Sequence, residues 1–260
     1  MSRLHPLLTS LGLALVLTMG CGPRHTQPGA AQDAYTDGWK FYEAGDLPDA
    51  EAKFQEAIAA NPAHVQAHYG LGQVYRDQGK NQDAIREFEG VINLDSRHPQ
   101  AYVDLAKLYQ KEGMFEQALA SALEAVRLNP NEGFLYNLLG TVYVDKGEYD
   151  QAIKNYERAL ELKPDSAWVY NNLGLAYLRV EKWDEAESQL RKALEADPDH
   201  AVAHNNLGVV LLHKGKDQEA LEQFKKAYEL DPTYQKAAQN VADTEALIER
   251  QSKKKKKTKH

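Results

Sequence analysis

From Ala31 to Tyr234 the chain repeats one arrangement of small, bulky and polar residues every 34 residues, six times without a gap. The unit is cleanest from Gly133 to Ser166, GFLYNLLGTVYVDKGEYDQAIKNYERALELKPDS. A fixed period of this size dictates a stacked architecture. With each unit numbered 1 to 34, place 20 is Ala throughout: Ala50, Ala84, Ala118, Ala152, Ala186 and Ala220. Place 8 is Gly except for Ala106, and place 27 is Ala except for Val91. Small residues there let two helices approach closely, as ridge-into-groove packing requires. Place 11 carries the bulky Phe41, Tyr75, Tyr109, Tyr143, Tyr177 and Leu211, which fill the space between the helices.

The same register holds the stop signals. Place 15 is Gly45, Gly79, Gly113, Gly147 and Gly215, with Glu181 in the fifth unit. A Gly just past a helical run is the expected left-handed C-cap. Place 32 is Pro62, Pro130, Pro164, Pro198 and Pro232, with Ser96 in the second unit. Proline there ends a second helix. Each unit therefore predicts a helix of about 13 residues, a tight turn, and a second helix of similar length.

This pattern resembles the tetratricopeptide repeat over residues 31–234. The resemblance implies an all-α solenoid of six helix-turn-helix repeats, stacked as a right-handed superhelix around a concave groove that binds a peptide or partner helix. No unit buries its apolar face alone, so the array needs stacking and a terminal cap. Residues 235–251 are expected to form that capping helix, with Ala238, Val241 and Ala242 covering the last repeat.

The ends differ in kind. Residues 1–20 read as a signal peptide: Arg3 supplies a basic start, and the apolar stretch from Leu7 to Met19 falls short of the roughly 20 residues of a membrane span. Cys21 is the one cysteine, so no internal disulfide can form. A small residue and then Cys closing such a stretch is similar to the bacterial lipoprotein signal, in which Cys21 becomes the first mature residue and carries acyl chains. Thr18 and Met19 depart from that pattern, and an ordinary secretory signal with a chance Cys is the alternative. Gly22 in place of Asp implies, by the same resemblance, delivery to the outer membrane of a Gram-negative bacterium, on its periplasmic face. Residues 21–30 would be the lipidated Cys and a tether reaching at most about 30 Å.

Charge is uneven. Of 31 basic residues, Arg3 lies in the signal and six Lys lie in the tail 252–260, which leaves 24 against 38 acidic residues in the body. Such a body repels phosphates, and nucleic acid is excluded as a partner. The Lys tail is expected to be disordered. It could meet an anionic membrane surface, fold onto the acidic body, or remain a solvated end.

The sequence contains no nucleophile elbow, phosphate-cradling glycine loop or HExxH zinc motif. A non-enzymatic protein without cofactor is the reading. His64 and His68, and His200 and His204, stand four apart, a spacing that can bind metal on a helix. His68 and His204 fall at place 4, an aromatic packing slot in the family, and no third ligand accompanies either pair, so no metal is expected.

In the family, places 2, 5, 9 and 12 of the first helix face the groove. The Lys and Asn pattern that holds chaperone tails is missing. Two other patterns stand out. Asn137, Asn171 and Asn205 occupy place 5, with Asn172 and Asn206 beside them, and Leu175, Leu178, Val209 and Leu212 occupy places 9 and 12. An amide ladder beside an apolar strip suits a bound peptide or helix. The alternative is that these Asn only bond neighbouring helices. In the first repeat Tyr35, Trp39 and Tyr42 share one helical face, and Tyr69 repeats place 5 in the second. These aromatics are candidates to grip a client; the alternative is that they cap the array or pack on the tether.

Lipid signal, short tether and six repeats together resemble in layout the pilotin lipoproteins of type IV pili, which carry a secretin subunit to the outer membrane and help its multimer assemble. The expected partners are thus a protein or peptide client, a secretin subunit in this reading, and the membrane through the lipid anchor. A periplasmic scaffold docking proteases or cell-wall enzymes, and a structural envelope protein whose tail grips an anionic polymer, remain open.

Overall fold

The computed structural model describes residues 29–257, with side chains to 254. The signal peptide, Cys21 and most of the tether lie outside the described residues. Twelve helices form six consecutive hairpins: α1 (Ala30–Glu43) with α2 (Leu47–Ala60), α3 (Val65–Asp77) with α4 (Asn81–Leu94), α5 (Pro99–Lys111) with α6 (Phe115–Leu128), α7 (Gly133–Asp145) with α8 (Tyr149–Leu162), α9 (Ala167–Arg179) with α10 (Trp183–Ala196), and α11 (Ala201–His213) with α12 (Asp217–Leu230). A thirteenth helix, α13 (Gln235–Lys257), packs on α12. There is no strand among the described residues.

Each hairpin turns through the same six-residue device. In the first, Gly45 N–H donates to Tyr42 O (3.0 Å) and Asp46 N–H to Phe41 O (2.9 Å). This is a Schellman motif, which needs a left-handed residue just past the helix. Gly45, Gly79, Gly113, Gly147 and Gly215 supply it at φ 73–79°, and Glu181 takes the same conformation at φ 59°. Between repeats, Asn61, Asp95, Asp197 and Asp231 accept the backbone N–H two residues on, at 2.9–3.1 Å. These local bonds offer the chain an alternative to continuing the helix.

The core is a row of small-against-large contacts. Ala50, Ala84, Ala118, Ala152, Ala186 and Ala220 are all fully buried, as are Phe54, Phe88, Leu190 and Phe224 at place 24. Each hairpin shares its apolar cluster with a neighbour, so burial runs along the stack rather than into one centre. Where helices that are not consecutive in the chain come closest, both are first helices: α1 with α3, α5 with α7, α7 with α9, α9 with α11. The first helices therefore form the inner wall of the solenoid.

The last helix departs from expectation at its end. It continues to Lys257, past the boundary expected at 251. Gln251 donates to Asp217 (2.7 Å), and Lys253 pairs with Glu249 one turn back (2.7 Å). Cations near a helix C-terminus are also favoured by its dipole.

Candidate functional site

The inner wall changes character halfway along. In the first three repeats its place-2 residues are Gln32, Gln66 and Gln100, and from the fourth onward they are Phe134, Trp168 and Val202. Phe134 is 52% exposed and Trp168 64% exposed. Large aromatics left in water on a concave face mark an interaction surface more than a folding need. Trp168 leans over His200, with ring centroids 4.4 Å apart. His200 is buried, its Nε2 has no hydrogen-bond partner among the described residues, and burial holds its imidazole below the usual range.

Beneath these aromatics runs the asparagine ladder. Asn172 Nδ2 donates to Asn137 Oδ1 (3.1 Å), Asn171 Nδ2 to Asn172 Oδ1 (3.4 Å), and Asn206 Nδ2 to Asn171 Oδ1 (3.0 Å). Asn240 of α13 continues the series, donating to Asn205 Oδ1 (2.8 Å). Asn171, Asn205 and Asn206 are 3%, 4% and 9% exposed, so much of the ladder ties adjacent first helices together. A buried amide bridge of this kind fixes their relative register.

Beside the ladder a cleft of about 420 Å³ opens between α9, α11 and α13. Its lining includes Leu175, Leu178 and Val209 of the expected apolar strip, with Asn205 and Asn206. Val202, Arg179, Tyr234, Lys236, Gln239 and Asn240 complete it. Leu212 lies outside the lining and packs on the last apolar cluster. Leu175, Leu178 and Val209 are half-buried, which keeps apolar surface within reach of a client.

The aromatic trio of the first repeat is built differently. Trp39 meets Tyr35 and Tyr42 edge-on, at 6.4 and 5.3 Å, and packs on the fully buried Phe54 at 5.4 Å. Tyr42 Oη donates to Asp77 (2.5 Å), and the buried Nε1 of Trp39 has no partner among the described residues. All three rings are half-buried and pack against the first apolar cluster. Tyr69 donates to the buried Asp104 (2.8 Å), which Arg76 also approaches (3.4 Å). Burial and the Asp104 carboxylate together raise the Tyr69 hydroxyl well above its ordinary range.

The histidines have other work. His64 and His98 cap α3 and α5, each accepting a backbone N–H through Nδ1 at 3.2 Å. His68 lies between Glu87 and Pro62 O, and His204 between Gln223 and Pro198 O. Among the described residues no group of three or more His, Cys, Asp or Glu is placed to hold a metal ion.

Phe134, Trp168 and Val202 were absent from the candidates read from sequence, although they stand at a groove-facing place. The contrast with Gln32, Gln66 and Gln100 was the available signal. Lys236, Gln239 and Asn240 lie in the helix expected only to cap the array; Asn240 follows Asn172 and Asn206 at the same 34-residue spacing.

Family models described as "Tetratricopeptide repeat" match residues 35–101, 171–234 and 75–139, and one described as "TPR repeat" matches 140–180. No curated protein matches the chain. Among solved structures, PilF of Pseudomonas aeruginosa superposes with a TM-score of 0.68 at 17% identity, over 82% of this chain and 97% of that one. YrrB, titled a TPR protein with an unusual peptide-binding site, gives 0.58 at 27% identity, over 72% and 96%. The Cut9–Hcn1 hetero-tetramer of APC/C gives 0.66 at 22% identity over 85% of this chain, which spans only 44% of that relative.

Proposed function

The chain belongs to the tetratricopeptide-repeat family, and on that premise we propose that it is a lipid-anchored, client-binding protein of the bacterial envelope that chaperones or assembles an outer-membrane secretin for type IV pilus biogenesis. Repeats of this family are protein-interaction scaffolds that bind protein or peptide partners and are generally non-catalytic. One observation carries the binding role: Phe134 and Trp168 stand 52% and 64% exposed on the inner wall, beside a cleft with apolar and amide lining. Aromatic anchors of this kind dominate interface energetics. The secretin and the pilus are supported by layout, since a signal ending at Cys21, a short tether and six repeats resemble the pilotin lipoproteins. The likeness to PilF agrees with this at the level of fold.

Affinity capture from outer membranes, with the full-length protein and Trp168→Ala side by side, tests the proposal. A secretin subunit enriched by the wild type and lost with the variant is the expected result. Recovery of proteases or cell-wall enzymes instead would overturn the secretin assignment. Equal capture of the secretin by both proteins would remove the site from this face.

A further inference from the structure

We infer that α13, besides closing the array, is the third wall of the client site, and that the cleft it encloses takes a client segment combining apolar side chains with carboxylates. This rests on the groove reading above and adds the chemistry of the client. The chain carries 38 acidic residues against 31 basic, yet none of the residues lining the cleft is acidic. Two of them are cations, Arg179 at the end of α9 and Lys236 near the start of α13. Both are exposed, and among the described residues neither side chain has an ion pair or hydrogen bond.

Two other cations of the fifth and sixth repeats are instead held by carboxylates. Lys214 is held by Asp184 (2.5 Å) and Glu187 (2.6 Å), and Arg191 by Glu187 (2.7 Å). The carboxylate closest in bonding to the lining is Asp243, which accepts the Gln239 amide at 2.9 Å. In a body that is acidic elsewhere, two unpaired cations beside Leu175 and Val209 select a segment of opposite charge by attraction and reject a basic one by repulsion. The amides complete the site. Asn240 donates to Asn205, and among the described residues Asn205 Nδ2 and Asn240 Oδ1 have no partner. One donor and one acceptor, side by side, suit the backbone of a bound segment.

The test uses three fluorescent peptides with the same apolar residues and with Glu, Gln or Lys at every polar position. Binding to the full-length protein in detergent is read by anisotropy. The Glu peptide is expected to bind at least about tenfold tighter than the Lys peptide, with the preference shrinking as salt rises. Lys236→Glu and Arg179→Glu should each reduce the preference, and together reverse it, without changing Tm. Trp168→Ala should weaken all three peptides alike. If the charge reversals leave the order of affinities unchanged while Trp168→Ala still weakens binding, the acidic client is wrong and the groove stands. If Trp168→Ala has no effect, or no peptide binds, the groove reading falls as well. Concentration-dependent self-association abolished by Lys236→Glu would make a second copy the occupant and overturn the client.

Discussion

The ring of Phe224 packs so closely on Gly208 that a Cβ at that position would stand 2.5 Å from Cε1. The same relation joins Gly140 to Tyr156, Gly72 to Phe88 and Gly174 to Leu190. In the third repeat both partners are alanine, Ala106 and Ala122, both buried. Places 8 and 24 are thus one packing decision: a large residue on the second helix requires no side chain on the first.

A double-mutant cycle measures that decision. Gly208→Ala gains helix propensity of up to about 1 kcal/mol, yet it presses a methyl into a ring with no room to move. Overpacking of this kind costs about 1–3 kcal/mol, so a net loss of stability is expected. Phe224→Ala alone should cost about 3–5 kcal/mol through the cavity it leaves. The double variant, which copies Ala106 with Ala122, should be less destabilised than the sum of the two. Additive values in chemical denaturation would show that the contact carries no coupling.

Glu181 takes a left-handed conformation, φ 59°, at the turn where five other repeats use Gly. A side chain there strains the backbone by about 1–2 kcal/mol. Gly relieves the strain but enlarges the conformational freedom of the unfolded chain. Glu181→Gly should therefore stabilise by about 0.5–1 kcal/mol, and an unchanged or lowered denaturation midpoint would refute this.

Much of the fold was legible because its determinants are local and repeat in register. The Gly of each turn, the Pro after each second helix and the constant Ala of place 20 each report one geometric demand. The site was harder to see. Asn171 and Asn206 carry the same residue type whether they bind a client or a neighbouring helix, and only burial distinguishes these. Trp168 was legible in principle, but its meaning depends on His200 beneath it and on open space above it, which no spacing rule encodes. Lys236 lies beyond the last full repeat, where the periodic pattern stops.

Glu187 couples the fifth and sixth repeats. Its carboxylate accepts from Lys214 (2.6 Å) and Arg191 (2.7 Å), with Lys216 at 3.4 Å, while only 12% of the side chain is exposed. The Lys214 bond, with Arg191 behind it, lowers its pKa from 4.5 to about 2. A folded-state pKa below the unfolded one contributes stability that is complete above pH 4.5 and is lost as pH falls towards 2. The shift corresponds to at most about 3 kcal/mol. Glu187→Gln should be less stable than wild type at neutral pH, with the difference shrinking steadily below pH 4.5. A difference that stays constant down to pH 2 would show that the ion pairs add nothing.

Cys21→Ala tests the anchor. If acyl chains hold the protein, the variant should leave the membrane fraction and remain soluble after a high-salt wash. Two or more chains anchor stably because each buried methylene contributes about 0.8 kcal/mol. A variant that stays in the outer membrane at high salt would show that the anchor lies elsewhere.

Trp39 and Trp168 separate packing from recognition. Both stand on first helices, and both were open to reading as groove aromatics. Trp39 touches the fully buried Phe54 at 5.4 Å and joins the first apolar cluster with Tyr35 and Tyr42. Removing it opens a cavity at the end of the described stack. Trp39→Ala is therefore expected to cost about 3 kcal/mol or more and to lower Tm. Trp168 is 64% exposed, with its ring on His200, so Trp168→Ala should move stability by less than about 1 kcal/mol. Client affinity should respond in the opposite order. Trp168→Ala should weaken binding at least about tenfold, and the folded fraction of Trp39→Ala should bind within about threefold of wild type. Calorimetric melting and titration with the captured client give both numbers for both variants. Loss of affinity in folded Trp39→Ala, with Trp168→Ala binding normally, would move the client to the first repeat and reverse the assignment of the two tryptophans.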